Sequence, residues 1–257
     1  MMKIIKNDEI FFCQKHGEKK SPVISFGGEI LSPQSCDECD DEKRTVEEKE
    51  QEMLCLQKQE QKKHFLREQS NIPKRYKTSS LLTFKVQNKK QKIALEICEN
   101  FVENFEKEEG KNLILLGKPG TGKTHLACAV MHKIIANFIK PALFVNFSQK
   151  IAEIVGSYRA TSPKAKNEIL SELAAVDLLL IDDLGCAIQT EHTQEVINSI
   201  ISERYDLKKS TIITANLNCD QLVNYCGTRV SSRLHEAIKN AGIFDWNDFR
   251  KIGDEKT

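Results

Sequence analysis

A chain of 257 residues, 40% hydrophobic and 29% charged, has room for one sizeable domain and something smaller. Its net charge of +1 excludes a uniformly basic nucleic-acid coat and an acidic tail. No run approaches the roughly 18 apolar residues of a membrane span, and the opening MMKIIKNDEIFF has Asp8 and Glu9 before its short apolar patch and no small-residue cleavage site. No membrane contact is therefore expected. Nine cysteines, an odd number without an export signal, argue against a disulfide framework and for a reducing, cytoplasmic setting.

Residues 1–40 carry the turn formers Gly17, Pro22, Gly27, Gly28 and Pro33. They also contain Cys13-Gln-Lys-His16 and Cys36-Asp-Glu-Cys39, a C-x-x-H and a C-x-x-C with 19 residues between them. Three thiolates and an imidazole are the soft donor set of tetrahedral Zn²⁺. Cys13, His16, Cys36 and Cys39 together leave no open coordination position, so the zinc is expected to be structural rather than catalytic. Gly17 suits a tight turn after His16. A module this small, with few large apolar groups, cannot bury enough core unaided, and metal binding would supply the folding energy. The competing readings are unrelated cysteines in a disordered tail, or a redox pair, for which no βαβ context is present. Cys55, Cys98, Cys128, Cys186, Cys219 and Cys226 read as packing residues.

Residues 41–70 contain neither Gly nor Pro and consist largely of strong helix formers. Their apolar positions (Val46, Met53, Leu54, Leu56, Phe65 and Leu66) are too sparse for a steady heptad seam. The segment reads as a solvated helix, roughly 45 Å long at about 1.5 Å per residue. It serves either as a charged linker or as a helix that binds a partner or itself.

Residues 71–257 alternate apolar strands (112–116, 142–147, 177–181 and 211–214) with helical patterns near 88–107, 123–137, 148–158, 164–175 and 191–207. In the last of these, Val196, Ile197, Ile200, Ile201 and Tyr205 recur at helical spacing and are expected to face the core. Strands apolar on both faces, separated by helices, predict an α/β fold with a parallel sheet and right-handed crossovers.

Four motifs carry chemistry. Gly117-Lys118-Pro119-Gly120-Thr121-Gly122-Lys123-Thr124 fits G-x-x-x-x-G-K-[ST], follows the strand NLILL and opens a helix that continues with His125. Its glycines let backbone N–H groups wrap a phosphate at a helix N-terminus. Lys123 is expected to reach the β- and γ-phosphates, and the Thr124 hydroxyl to bind Mg²⁺. In LLLIDDLG, Asp182 and Asp183 end a buried strand at the edge where α/β ligands bind. Asp182 is expected to hold the Mg²⁺, and Asp183 to polarise the attacking water. Asp is one methylene shorter than the Glu common at that second position, which points to slow hydrolysis. Asn216 ends the strand STIITA and would orient that water; the plain alternative is a turn former. In GTRVSSRL, Arg229 and Arg233 lie four apart on a predicted helix, as an arginine finger for a neighbouring subunit or as a solvated pair.

Taken in order and spacing, NIPKRY (71–76), LLGKPGTGKTHLA, DLLLIDDLG, TANLN, GTRVSSRL and IFDWNDFR resemble the AAA+ ATPases of the DnaC/DnaI helicase-loader group, with the IstB transposition ATPases as relatives. The resemblance implies a P-loop AAA+ three-layer α/β/α domain over 71–257, preceded by the zinc module (1–40) and the helical linker (41–70). It implies an ATPase that assembles as an ATP-dependent helical oligomer, binds ssDNA and delivers a DnaB-type hexameric replicative helicase onto DNA. By position, Arg233 resembles the arginine finger, with Arg229 as the competing choice, and Arg250 the cis-acting sensor arginine. The segment holding Lys150, Tyr158, Arg159, Lys164 and Lys166 takes the place of DNA-contacting helices, although a helix face with ordinary charges reads equally well. Loaders related to DnaI also carry an N-terminal zinc domain that grips the helicase. Three alternatives stand beside the loader: a transposition helper ATPase, a small-molecule P-loop kinase, and a zinc-dependent DNA-binding adaptor with a vestigial ATP site. Asn216 and the Arg229/Arg233 helix argue against the kinase, and intact Lys123, Thr124, Asp182 and Asp183 against the adaptor.

Overall fold

The computed structural model describes residues 2–26, 29–31, 36–159 and 163–249, with the side chains of 2–9, 11, 21–26, 29–31, 155–159 and 163–166 outside that description. The chain divides into two compact units, Met1–Gln61 and Lys62–Thr257.

The first unit opens with an antiparallel sheet of β1 (Met2–Cys13), β2 (Gly17–Phe26) and β3 (Glu29–Leu31), in the order β1-β2-β3. Its pairing of Cys13 with Gly17 leaves a three-residue turn, and Gly17 takes the left-handed φ of +75° that such turns place on glycine. The helix α1 follows as one continuous run, Asp37–Gln69. At about 1.5 Å per residue it is about 50 Å long, and it begins inside the segment assigned from sequence to the zinc module. Asp37, Glu38 and Asp40 sit in its first turn and Arg67 in its last, matching the helix dipole. Val46, Met53, Leu54, Leu56 and Phe65 are exposed along it.

The second unit is a five-stranded parallel sheet in the order β5-β6-β7-β4-β8. Its strands are β4 (Leu113–Gly117), β5 (Ala142–Asn146), β6 (Leu178–Leu184), β7 (Ser210–Ala215) and β8 (Gly242–Phe244). Its helices are α2 (Lys89–Glu103), α3 (Lys123–Phe138), α4 (Phe147–Arg159), α5 (Pro163–Ala175), α6 (Glu191–Asp206), α7 (Cys219–Cys226), α8 (Thr228–Arg233) and α9 (His235–Lys239).

Strand side chains alternate between two cores. Leu113, Leu115, Leu178, Leu180 and Ile212 pack with α2 and α3, while Ile114, Leu116, Leu179, Ile181 and Ile213 pack with residues of α4 to α8. That alternation is the physical content of an α/β/α sandwich, and it explains why the strands read as continuous apolar runs. Helix starts are set by side-chain caps: Asn88 accepts from the Gln91 N–H at 2.9 Å, and Asn218 from the Gln221 N–H at 2.8 Å.

The structure departs from the sequence reading in several places. The helix expected near 88–107 ends at Glu103, where Asn104 turns its amide back onto the Asn100 carbonyl at 3.0 Å. Tyr205 is not a core residue: it is 57% exposed, with the Arg233 guanidinium over its ring at 5.6 Å. Cys98, Cys128 and Cys226 are buried as packing residues should be, but Cys55 and Cys186 are exposed. The short strand β8 was not foreseen, because three residues leave no periodicity to read.

Candidate functional site

β4 runs into the phosphate loop, and the sheet closes around it. β8 pairs with β4 in register Gly117↔Phe244, and a Cβ on Gly117 would lie 2.1 Å from the Phe244 carbonyl oxygen, so only glycine fits there. The Lys118 N–H donates to the Phe244 carbonyl at 2.9 Å, and the Phe249 N–H to the Gly120 carbonyl at 3.1 Å. The Trp246 indole donates to the Thr121 carbonyl at 3.1 Å. The C-terminal motif thus braces the loop from three points. Within the loop, the Lys123 ammonium donates to the carbonyls of Gly117 (2.8 Å) and Lys118 (2.6 Å), and the Thr121 hydroxyl to the Lys118 carbonyl (2.7 Å). Gly122 caps α3 at φ +96° without any side-chain acceptor. The first N–H groups of α3 therefore have no side-chain cap, the arrangement in which a helix N-terminus can take an anion.

Asp182 is buried at the end of β6. Its Oδ1 accepts from the Thr124 hydroxyl at 2.8 Å and the Thr214 hydroxyl at 2.6 Å. Burial raises its carboxyl above the ordinary Asp range, and the hydrogen bonds from Thr214 and Thr124 oppose that shift. Thr124 and Asp182, predicted as partners at one metal ion, are in direct contact, and two hard oxygen donors in that arrangement suit Mg²⁺.

Asp183 takes a left-handed φ of +56° where the β6–β7 register slips between Ile181 and Leu184. Backbone of this kind in a non-glycine residue concentrates at functional sites. It turns the Asp183 carboxylate out of the sheet toward Asn216, whose Nδ2 lies 3.4 Å from Asp183 Oδ1. Sequence reasoning missed Thr214, which also accepts the Asp183 N–H at 3.1 Å. Its signal was a hydroxyl near the end of a strand buried at every position.

Of these groups, Gly120, Gly122, Lys123, Thr124, Asp183 and Asn216 line one cavity of about 900 Å³ together with Arg75, Tyr76, Phe84 and Phe249, and Asp182 lies buried behind Thr124. His125 stands at the cavity's edge, with Nδ1 3.2 Å from the Ser79 hydroxyl and Nε2 3.2 Å from the Thr83 hydroxyl.

Other predicted residues lie elsewhere. Arg229 is exposed on α8, and Arg233 lines a second cavity with Tyr205 and Asn112–Ile114, at the start of β4 rather than its phosphate end. Lys150 pairs with Glu153 at 2.6 Å. Tyr158 and Arg159 fall on α4 and Lys164 and Lys166 on α5, but their side chains lie outside the described residues, as does Arg250 entirely.

In the first unit, Cys13, His16, Cys36 and Cys39 converge. The three sulfurs lie 3.5 Å apart where Cys13 meets Cys36 and Cys39, and His16 Nδ1 lies 3.8, 3.3 and 3.4 Å from Cys13, Cys36 and Cys39. A tetrahedron with Zn–S bonds of about 2.3 Å has edges of about 3.8 Å, so the donors fit zinc without rearrangement. His16 Nε2 lies 3.3 Å from Glu42, the outer-shell carboxylate that orients a metal-bound imidazole. The Cys36 sulfur accepts the Cys39 N–H at 3.4 Å at the start of α1. The backbone N–H groups of His16 and Lys15 draw the Cys13 thiol down to about 6, while its hydrogen bond to Cys13 pushes Cys39 up to about 11.

Residues 40–234 match the family described as IstB-like ATP binding protein. The replicative helicase loader DnaC of Buchnera aphidicola subsp. Schizaphis graminum is 30% identical over 188 residues, 72% of this chain and 76% of that protein. A crystal structure of the DnaC helicase loader superposes with a TM-score of 0.60 at 30% identity, covering 68% of this chain and 100% of that one. AMPPCP-bound DnaA from Aquifex aeolicus superposes with a TM-score of 0.54 at 25% identity, over 72% of this chain and 56% of that one. With a glycine-rich loop opening a helix, a Thr124–Asp182 contact and an Asp183–Asn216 pair at one edge of a parallel sheet, the chain belongs to the IstB-like ATP binding protein family.

Proposed function

We propose that the chain is an ATPase that loads a DnaB-type hexameric replicative helicase onto DNA. The observation that carries this reading is the contact of Thr124 with Asp182 beside the Asp183–Asn216 pair, in a chain similar to DnaC loaders over most of its length.

Lys123 binds the β- and γ-phosphates, and Thr124 and Asp182 would hold Mg²⁺, which would supply charge neutralisation there. Asp183 polarises the attacking water and Asn216 orients it. Arg233, or Arg229 in its place, acts on the nucleotide of a neighbouring subunit, in keeping with its position away from the cavity of its own chain. Arg250 acts in cis. ATP bound between subunits orders a helical oligomer that holds ssDNA along α4 and α5, and hydrolysis releases it. Cys13, His16, Cys36 and Cys39 would hold a structural Zn²⁺ that would supply folding energy to the N-terminal module (1–40); that module grips the helicase, and residues 41–70 tether it to the ATPase domain (71–257). The work is done in the cytoplasm.

Affinity capture of the full chain with ATP, followed by identification of bound protein, tests the reading. A DnaB-type helicase retained with ATP and lost with Lys123→Ala supports it. A transposase in its place assigns the chain to transposition targeting.

A further inference from the structure

His125 follows Thr124 in the first turn of α3 and is half-buried. Both of its ring nitrogens are taken by a segment that precedes α2. Nδ1 lies 3.2 Å from the hydroxyl of the buried Ser79. Nε2 lies 3.2 Å from the Thr83 hydroxyl and 3.3 Å from the Ser80 carbonyl. The network decides where the ring carries its hydrogen. The Thr83 hydroxyl donates to the Ser80 carbonyl at 2.8 Å, so toward His125 it can only accept. The Ser80 carbonyl is an acceptor by nature. Nε2 therefore holds a hydrogen and shares it between the two oxygens, while the Ser79 hydroxyl closes the contact on the Nδ1 side.

What the imidazole holds is a wall of the nucleotide cavity. Leu81–Thr83 form a 3-10 turn, capped where the Ser80 hydroxyl accepts the Leu82 N–H at 3.2 Å. Phe84 follows and is buried, its ring centroid 6.5 Å from that of His125. It abuts the phosphate loop so closely that a Cβ on Gly122 would lie 2.9 Å from Phe84 Cε2. From there Thr83, Phe84, Lys85 and Gln87 line the cavity that the loop, Asp183 and Asn216 also line.

We propose that His125 is a positioning residue rather than a phosphate ligand. It clasps Ser79–Phe84 to the first turn of α3, and so sets the Thr83–Gln87 wall at the distance from the phosphate loop that the sugar and base of a bound nucleotide require. This rests on the ATP-site reading above. The phosphates meet the loop and the nucleoside meets the wall, so loss of the clasp separates two kinds of ligand. A ligand that is phosphate alone keeps its affinity, and one that carries a nucleoside loses it.

The test is calorimetric binding of AMPPCP and of inorganic tripolyphosphate, each with Mg²⁺, to the full chain. His125→Ala is expected to weaken AMPPCP by about tenfold, the scale of one or two hydrogen bonds, and tripolyphosphate by less than about twofold. His125→Gln, whose amide keeps a donor for Thr83 and Ser80, should recover most of the loss. Ser79→Ala should weaken AMPPCP by itself but add little to His125→Ala, since the two residues share one contact. Equal losses for the two ligands, no loss for either, or additive losses for the Ser79–His125 pair overturn the inference while leaving the ATP site standing. So does a parent chain that binds AMPPCP no more tightly than tripolyphosphate. A parent that binds neither ligand overturns the ATP-site reading itself, and this inference with it.

Discussion

Thr214 shows how much one hydroxyl carries. It donates to Asp182 at 2.6 Å and accepts the Asp183 N–H at 3.1 Å, so it fixes both acidic residues at the point where β6 leaves its register. Thr214→Val keeps the volume but leaves a buried N–H unpaired and removes a donor from a buried carboxylate. Such losses cost about 1–3 kcal/mol. Denaturant unfolding should show that loss, together with weaker Mg²⁺-dependent nucleotide binding, while Thr214→Ser retains most of both. A Val variant that binds as the parent does would mean Thr124 alone positions Asp182. The roles proposed for Lys123, Thr124, Asp182, Asp183 and Asn216 were legible in sequence because a strand, a glycine-rich turn and a helix follow in fixed order. Thr214 was not, since it acquires its role only from a neighbour distant in the chain, the Asp182 carboxylate that its hydroxyl meets at 2.6 Å.

At the scale of elements, a buried arginine ties helices to sheet. Arg204 on α6 is 1% exposed and donates to the carbonyls of Leu173 (2.7 Å), Val176 (2.9 Å) and Ser210 (2.5 Å), and to the Thr211 hydroxyl (3.0 Å). It satisfies the C-terminal carbonyls of α5 and pins them to the start of β7. Burial draws its guanidinium down to about 9, with the Asp177 charge opposing the shift, which leaves it charged at neutral pH. Arg204→Met should destabilise the ATPase unit by about 3 kcal/mol or more, because several buried carbonyls lose their donor together. Chemical denaturation measures it, and a loss below about 1 kcal/mol would mean that water replaces the guanidinium. Sequence periodicity placed α6 but read Tyr205 inward, because an aromatic at helical spacing looks like core. Arg204, one position earlier, is the side chain that turned in.

The Cys/His centre is the second such tie. Its spacing was legible because soft donors in pairs have few other uses, whereas the hairpin and the early start of α1 were not, since the chelating geometry spans segments 19 residues apart in sequence. Chelation of the metal, or Cys36→Ser, should abolish cooperative unfolding of Met1–Gln61 while nucleotide binding by the second unit persists. Circular dichroism with a zinc-release dye reads the first, and calorimetric titration with nucleotide reads the second. A unit that keeps its unfolding transition after the metal is removed would assign its stability to the sheet instead.

For the whole molecule, the chain combines two units with separable chemistry: donors that fit a structural metal in the first, and a nucleotide cavity at the C-terminal edge of a parallel sheet in the second. The described helices include none long and apolar enough to cross a membrane. The sandwich itself could be read from apolar strands alternating with amphipathic helices, because burial on both faces leaves its mark on every strand residue. Whether Arg229 and Arg233 face solvent or another copy of the chain was not readable, because arginines four apart look the same on a solvated helix and at an interface. The most direct measurement places the parent chain, ATP and the DnaB-type helicase of its own cell on closed circular ssDNA coated with single-strand binding protein, and asks whether helicase co-sediments with the circles. The loader account predicts helicase on DNA only with both ATP and the intact chain, and none with Lys123→Ala. Helicase loading that is indifferent to the chain, or unchanged by Lys123→Ala, would contradict it.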